Sequence, residues 1–322
     1  MTSRARFVIL LVASLVLAGC RAESDGTPGA STSTPGPLTA GIARAEDDVQ
    51  HVDARTEWWY VHAVDPRTGR AVVAIFSSAP FPIVSGYLLT RTGGTNWLAP
   101  TELRDHAGPG VALGAGSVGY DAASKRWLVD QQAKGYRIHL VLSRTRPGIT
   151  TSDLRFGDQS ERWSVPVATS RADGWIVEPG GRRIKVRDWY GYHDHNWGNF
   201  DLESHAYLGW EWAAVHEPGG RAWVLAAIKR LDGSYFTVLV RVTPANTTFC
   251  RAKLTVRRWM TSDQFRLPAE LIAGCGQERV TFRVTRPFVH PLTTYALTES
   301  IGRSDQPRSI GIIEHLGRKT DN

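Results

Sequence analysis

Apolar and polar residues alternate along much of this chain with a period of two, the spacing that places side chains on opposite faces of a β-strand. Residues 136–143 (YRIHLVLS) show this alternation clearly, and residues 70–77 (RAVVAIFS) form an apolar, β-branched run. Turn residues separate such segments roughly every eight to twelve positions. The pattern predicts strands over residues 70–77, 136–143, 207–216, 221–229, 235–242, 252–259, 279–285, 294–300 and 309–315.

Turn signals support this interpretation. The stretch Glu-Pro-Gly-Gly at residues 217–220 separates two predicted strands, and Asp232-Gly233 predicts a tight hairpin before a third. Residues 262–273 (SDQFRLPAELIA) are the one modest candidate for a helix, and Pro268 interrupts them. Many short strands with turns between them predict an all-β fold, an antiparallel sandwich or barrel.

The strand-rich regions form two halves that meet near residues 190–200. Such a chain fits two antiparallel β-barrels in tandem, although it contains no exact internal repeat. We expect one domain over residues 46–195 and a second over residues 196–322. The segment 193–198 (HDHNWG) then lies at or near the junction, and domain junctions are favoured places for ligand sites.

The N-terminus has the features of an export signal. A positively charged start precedes an apolar run that is too short to span a bilayer, and Leu17-Ala18-Gly19-Cys20 has the order of a lipobox. We expect residues 1–19 to be a lipoprotein signal peptide and Cys20 to carry lipid, which anchors the protein to the membrane outside the cytoplasm. An ordinary secretory signal with an incidental cysteine is the alternative. Residues 20–45, rich in Ser, Thr, Gly and Pro, are expected to be a flexible tether.

Composition limits the partners of the folded part, which at roughly 275 residues can bury a sizeable core. The chain has 12 Trp, 10 Phe and 9 Tyr but 2 Met, so aromatic side chains do much of the packing or line a cavity. The formal net charge is +7, but basic residues are scattered in pairs such as Arg182-Arg183 and Arg257-Arg258. An exported chain without a basic stripe is not expected to bind nucleic acid, and its charge suits anionic lipid headgroups.

Two cysteines, Cys250 and Cys275, remain if Cys20 carries lipid. In an oxidising compartment we expect them to form a disulfide, which would stabilise the fold by about 3 kcal/mol. Metal binding is a weaker alternative, because no Cys-x-x-Cys spacing exists. Two buried free thiols are the third alternative.

Residues 191–212 (GYHDHNWGNFDLESHAYLGWEW) hold the densest group of ionisable and aromatic side chains in the chain. Charged groups beside large aromatic surfaces indicate a partly desolvated pocket, where pKa values shift. If the protein carries out chemistry, this segment is the first place to expect it.

A second aromatic segment, residues 56–60 (TEWWY), begins the folded part. In a strand, Glu57 and Trp59 face one side while Trp58 and Tyr60 face the other, so both sides are expected to be buried. A buried Glu57 needs a partner or takes a raised pKa, and a structural pairing with an arginine is one alternative.

These two segments, in this order, resemble motifs of the hydroxyneurosporene synthase (carotenoid 1,2-hydratase) family and its secreted lipocalin-like relatives. The likeness comprises Glu57-Trp58-Trp59-Tyr60, then Gly191-x-x-Asp194-x-Asn196-x-Gly198 and Trp210-x-Trp212, and it extends over nearly the whole folded part. The resemblance implies two tandem lipocalin-like β-barrels with a pocket for a hydrophobic isoprenoid, polyene or polyketide-like molecule. No cofactor is expected, and no metal site is assigned.

The family's Tyr-x-Asp pattern falls on Tyr192 and Asp194. The resemblance implies that Asp194 donates a proton and that Tyr192 lies near a developing cation. Protonation of an alkene carbon needs a strong carboxylic acid in a dry pocket, and aromatic faces stabilise the resulting cation. His193 and His195 are candidates for tuning the acid or positioning a water. The expected ligand-binding residues are Glu57, Trp58, Trp59, Tyr60, Trp197, Trp210 and Trp212.

One family position differs in this chain. The hydratases have a histidine two residues before a tryptophan, upstream of the Tyr-x-Asp pattern. The nearest match here is Glu161-Arg162-Trp163, so that histidine is absent.

The sequence favours a lipid-anchored cell-envelope enzyme, hydratase-like or cyclase-like, that acts on a hydrophobic small molecule. A lipocalin-type lipoprotein that binds a lipid without converting it is the alternative. A secreted hydrolase is a third, although the region around Ser85 lacks a Gly-x-Ser-x-Gly motif.

Two further interpretations of residues 191–212 stay open. His193 and His195 face the same side of a strand and can bind a metal together with Glu203 or His205. Alternatively the segment is a structural corner, where Asp194 and Asn196 satisfy turn backbone while the tryptophans fill the core.

Overall fold

The computed structural model describes residues 39–156, 158–202, 206–292 and 294–319. The predicted signal peptide, Cys20 and most of the predicted tether lie outside these residues. The described residues form β-strands and one short 3₁₀ helix, which confirms the predicted all-β class. Within the described ranges, no helix is long and apolar enough to cross a membrane.

The first sheet has 14 strands and spans the N-terminal part of the chain. Its strands are β1 (Ala40–Ile42), β2 (Thr56–Val64), β3 (Ala71–Ala79), β4 (Ile83–Leu89), β5 (Gly94–Pro100), β6 (Leu103–Arg104), β7 (Gly110–Leu113), β8 (Gly116–Asp121), β9 (Arg126–Ala133), β10 (Tyr136–Arg146), β11 (Ile149–Thr151), β12 (Leu154–Phe156), β13 (Gln159–Val177) and β14 (Arg183–Asn199). The main path runs β5-β4-β3-β2-β14-β13-β10-β9-β8-β7-β6, while β1 pairs with β11, and β11 and β12 pair with β13. The 3₁₀ helix, Ala45–Asp48, precedes β2.

The second sheet has 9 antiparallel strands. They are β15 (Gly209–Glu217), β16 (Arg221–Lys229), β17 (Tyr235–Val242), β18 (Thr247–Arg251), β19 (Lys253–Ser262), β20 (Phe265–Cys275), β21 (Glu278–Pro291), β22 (Tyr295–Arg303) and β23 (Ile310–Arg318). Their order is β18-β17-β16-β15-β23-β22-β21-β20-β19. The predicted domain boundary between residues 195 and 196 falls within β14, and the chain passes to the second sheet between β14 and β15.

The described residues form three large apolar cores and one smaller apolar cluster around Tyr295. One lies within the first sheet and contains Trp59 and Trp189, and another lies within the second sheet around Phe282. The third lies between the two sheets and contains Tyr192 from β14 and Trp212 from β15. β2 and residues 189–197 of β14 are buried on both faces, and aromatic side chains lie on both sides of these stretches.

The predicted strands all overlap observed strands, but the helix predicted over residues 262–273 is wrong. That region contains the strand β20, after a turn in which Asp263 and Gln264 both have positive φ. Leu267, Ala269, Leu271 and Ala273 are all buried, which is the period of two of a strand. Pro268 cannot continue a helical hydrogen-bond ladder, and here it lies opposite Trp259, beside a register shift in β19.

The predicted disulfide between Cys250 and Cys275 is confirmed. It connects β18 to β20, so it joins strands near opposite ends of the second sheet. Because disulfides persist in oxidising compartments, the bond supports an extracytoplasmic location.

Candidate functional site

The two faces of β14 meet different surroundings. Tyr192, Asp194 and Asn196 face the second sheet, whereas the alternate residues His193 and His195 face the core of the first sheet. The neighbouring strand β2 follows the same pleat, because its Tyr60 pairs with Asp194 and its Trp59 pairs with His195. The strand therefore separates two groups of polar side chains.

A cavity of about 70 Å³ lies between the two sheets, on the Asp194 side of β14. The first sheet contributes lining residues from β2, β12, β13 and β14, and the second sheet contributes them from β15, β16, β17 and β23. The lining residues are Trp58, Tyr60, Leu154, Glu161, Trp163, Asp194, Asn196, Trp210, Glu211, Trp212, Ala226, Ala227, Ile228, Phe236, Val238 and Glu314. We call this space the junction cavity.

Asp194 is buried and is held by three side-chain donors. The Tyr192 hydroxyl donates to Oδ2 at 2.8 Å and Trp163 Nε1 donates to the same oxygen at 3.0 Å. Asn196 Nδ2 donates to Oδ1 at 3.0 Å. The carboxyl thus takes its hydrogen bonds from side chains and not from turn amides, while its residue still lines the junction cavity.

Two carboxyl groups in the cavity have raised pKa values. Burial raises the pKa of Asp194 to about 7, although the Trp163 and Tyr192 donors favour its charged form. Desolvation, followed by the charge of Asp194, raises the pKa of Glu161 to about 8. Near neutral pH at least one of the two carries a proton, so the cavity contains an acid and a base of similar strength.

Glu314, which lines the cavity from β23, is the cross-strand neighbour of a second buried carboxyl, Glu299 on β22. Burial and the neighbouring Glu314 raise the pKa of Glu299 well above its usual range, and burial raises that of Glu314. Tyr60 donates to Glu299 Oε2 at 3.3 Å, and Trp210 Nε1 donates to Glu314 Oε1 at 2.5 Å. Such a pair retains a proton between its members.

The ionisable side chains that line the cavity are all acidic or phenolic among the described residues. Its lining contains four carboxyl side chains, those of Glu161, Asp194, Glu211 and Glu314, and no lysine, arginine or histidine among the described residues. Six aromatic side chains complete the wall. The cavity therefore favours uncharged or cationic apolar molecules over anions.

On the opposite face of β14, four buried polar residues and the half-buried His51 form a network. His193 Nε2 donates to Asp48 Oδ2 at 3.1 Å and its Nδ1 donates to the Tyr60 carbonyl at 3.0 Å. Burial opposes the charged form of His193, but the Asp48 carboxylate outweighs it and raises the pKa. His195 Nε2 lies 3.0 Å from Glu57 Oε1, and His51 Nδ1 lies 3.1 Å from the same oxygen.

Glu57 has histidine partners in place of the arginine considered from the sequence. Burial acts to raise its pKa, but hydrogen bonds from His195 and His51 lower it to about 2. The Ser78 hydroxyl donates to its second oxygen at 2.5 Å. Glu57 is therefore ionised at neutral pH, and it faces away from the junction cavity.

The structure brings only part of the predicted site together. Tyr192 lies behind Asp194, and around the junction cavity lie Asp194, Trp58, Tyr60, Trp210 and Trp212. The other predicted residues, His193, His195, Glu57, Trp59 and Trp197, lie on the far side of the sheet.

Sequence reasoning did not assign Glu161, Trp163 or Glu314 to the site. A signal existed for the first two, because Glu161-Arg162-Trp163 is the stretch that matches the family's histidine and tryptophan. Glu314 comes from the last strand and offered no such signal. Ser85, considered for a hydrolase, lies inside β4, where a Cβ on the adjacent Gly86 would come within 2.4 Å of the Trp97 ring.

Comparison with solved structures gives two similar folds. The first is a protein assigned as AttH from Nitrosomonas europaea, with a TM-score of 0.63 and 16% sequence identity over 85% of this chain and 95% of that chain. The second is kievitone hydratase from Nectria haematococca, with a TM-score of 0.60 and 10% identity over 86% of this chain and 93% of that chain. A scan of protein-family models and a search of curated proteins give no match. At these identities the comparisons establish the shared fold.

Proposed function

We propose that this protein is an extracytoplasmic enzyme that adds water to a hydrophobic alkene, or cyclises it, after proton transfer from Asp194 in the junction cavity. The observation that carries the proposal is the setting of Asp194. Asp194 is 3% exposed, its carboxyl has a pKa raised to about 7, and the residue lines an aromatic cavity. A lipid on Cys20 would hold the enzyme at the membrane, close to apolar substrates.

The first step uses the protonated form of Asp194. The acid gives its proton to one alkene carbon, a C–H bond forms, and the positive charge moves to the other carbon. The donors Tyr192, Trp163 and Asn196 then stabilise the carboxylate that remains. Because these bonds strengthen as the negative charge appears, they lower the barrier to proton loss.

The cation that forms lies among aromatic rings. Trp58, Trp210 and Trp212 line the cavity, and the Trp212 ring is 5.2 Å from that of Tyr60. Their π faces stabilise positive charge without bonding to it. The Asp194 carboxylate left by the proton transfer adds to this stabilisation, because a negative charge favours a nearby cation.

In hydration the second step is attack of water on the cation. A C–O bond forms, and the proton released by the water passes to the carboxylate of Asp194 or of Glu161. Return of the proton to Asp194 restores the starting acid directly. An ionised Glu161 that takes the proton first must pass it on to Asp194, which their similar pKa values allow. In cyclisation another double bond attacks in place of water, and a proton is lost to the same carboxylates.

The structural comparison supports this reaction class. One of the two similar folds belongs to a protein named as a hydratase. The sequence resemblance to the carotenoid 1,2-hydratase family points in the same direction. Glu161 occupies the position at which that family has a histidine, so this chain lacks one feature of the carotenoid hydratases. The proposal therefore does not require a carotenoid substrate.

The test uses the molecule that co-purifies with the protein from its host, identified by native mass spectrometry. Wild type, Asp194→Asn and the matched control Asp130→Asn are each incubated with that molecule in ¹⁸O-labelled water. Asp130 is an exposed residue that pairs with His139, so its substitution leaves the cavity intact. We expect wild type and the control to incorporate label or to form a cyclised isomer, and Asp194→Asn to retain the ligand unchanged.

Two results would contradict the proposal. Equal turnover by wild type and Asp194→Asn would remove Asp194 from the reaction. Tight retention of the ligand without conversion by wild type would instead favour the lipid-binding lipoprotein.

A further inference from the structure

We propose a second site, on the opposite face of β14 from the junction cavity, in which His51, Glu57 and His195 bind one Zn²⁺ or similar first-row divalent ion. The site goes beyond the proposed function and uses none of its residues. It also differs from the metal set considered from the sequence, because His193 is already bonded to Asp48 and the Tyr60 carbonyl.

The three ligand atoms already lie close together. His51 Nδ1 and His195 Nε2 are 3.1 Å and 3.0 Å from Glu57 Oε1, and the three atoms are within 4.8 Å of one another. Ligands with bonds of about 2.0–2.2 Å to one tetrahedral ion are separated by roughly 3.3–3.5 Å, so little movement is needed. Two histidines and one glutamate are a donor set typical of zinc.

The tautomer of His195 supports a bound ion. In the absence of an ion, His195 Nε2 must carry the proton that is donated to Glu57. Nδ1 then has no proton, although it lies 3.7 Å from Asp48 Oδ1. Both Nδ1 of His195 and Oδ1 of Asp48 are buried without a hydrogen-bond partner among the described residues. An ion on Nε2 moves the proton to Nδ1, which can then donate to Asp48. Carboxylates commonly orient metal-binding histidines in this way.

Aromatic rings fix the two imidazoles. The His195 ring stacks on Trp59 at 4.2 Å and on Trp197 at 4.6 Å, and the His51 ring stacks on Trp197 at 4.3 Å. This packing limits rotation of the rings before an ion arrives, so less conformational entropy is lost on binding.

One side of the site is open. A groove of about 360 Å³ passes His51 and Trp197, and Glu46 and Asp47 lie on its wall. His51 is half-buried in the segment before β2, whereas Glu57 and His195 are buried in β2 and β14. The ion therefore attaches this segment to the first sheet and keeps a coordination position for water.

Calorimetric titration of tag-free, chelator-treated protein with Zn²⁺ tests the site, together with Co²⁺ absorption spectra and thermal unfolding. The variant is His51→Ala, because a half-buried loop residue can be replaced without disturbing the core. His139→Ala is the control, since His139 is a partly exposed histidine that pairs with Asp130.

We expect one equivalent of Zn²⁺ to bind wild type and His139→Ala and to raise the melting temperature of both. His51→Ala should bind Zn²⁺ at least tenfold more weakly than wild type. Co²⁺ should give the visible absorption bands of a tetrahedral site with wild type and not with His51→Ala. Absence of binding to wild type, or equal binding by His51→Ala, would overturn the proposal.

Discussion

His62 Nε2 lies 3.0 Å from His216 Nε2, and this contact joins β2 of the first sheet to β15 of the second. Both side chains are fully buried. One ring must donate and the other accept, so the contact needs at least one neutral imidazole. The His62 ring also stacks on Tyr192 at 5.1 Å, which places the pair directly behind the tyrosine that bonds Asp194.

Acid should weaken the junction of the two sheets through this pair. Burial lowers the pKa of His216 to about 3 and that of His62 well below its usual range. Since the folded pKa lies below the unfolded value of 6.5, the unfolded chain binds the extra proton and stability falls as pH drops from about 6.5 toward 3. Relative to His216→Gln, wild type should lose up to about 1.4 kcal/mol per pH unit in urea unfolding. Parallel pH profiles for the two proteins would rule this out.

Asp194 should have the opposite effect on stability, which it should lower as pH rises. Its pKa is raised from 3.8 to about 7, so its contribution to folding is present in full below pH 3.8 and is lost as pH rises through 7. The unfolding free energy of wild type, less that of Asp194→Asn, should therefore fall between about pH 4 and pH 7, by up to about 1.4 kcal/mol per pH unit. Asp130→Asn serves as the control. A difference that is constant with pH would show that Asp194 titrates normally.

Ligand charge should decide entry to the junction cavity. An isoprenoid alcohol should bind at least tenfold more tightly, by about 1.4 kcal/mol, than the carboxylic acid of the same skeleton, because the wall contains four carboxyl groups. Quenching of tryptophan fluorescence near pH 8 measures both affinities. Glu161→Gln should reduce the preference, while exposed Glu102→Gln should not change it. Tighter binding of the acid would contradict this account of the cavity.

Loss of the disulfide should destabilise the second sheet. The double variant Cys250→Ser, Cys275→Ser should lose about 3 kcal/mol of unfolding free energy, as measured by urea denaturation. Wild type treated with a reductant should show a similar loss, and the reductant should not affect the variant. An unfolding free energy equal to that of wild type within experimental error would mean that strand pairing alone stabilises this sheet.

Patterning along the chain was sufficient to predict nine of the 23 described strands and the opposite orientations of Glu57 and Trp58. The predicted site was divided because the same alternation also separates His193 and His195 from Asp194. Residues such as Glu314 could not be found, since their approach to Asp194 depends on how two sheets pack across more than a hundred residues of chain. The prediction of a helix over residues 262–273 was wrong because the apolar residues there lie on the buried face of a strand.

The pleat of β14 constrains how this protein can evolve. Within residues 192–197, three side chains point toward the second sheet and the alternate three point to the other side of the first sheet. Insertion or deletion of one residue there would exchange the two sets, turning histidines toward the second sheet and Asp194 toward the opposite side of the first sheet. Point substitutions can alter either site alone, so we expect homologues to vary in residue identity at these positions but to preserve the length of this stretch.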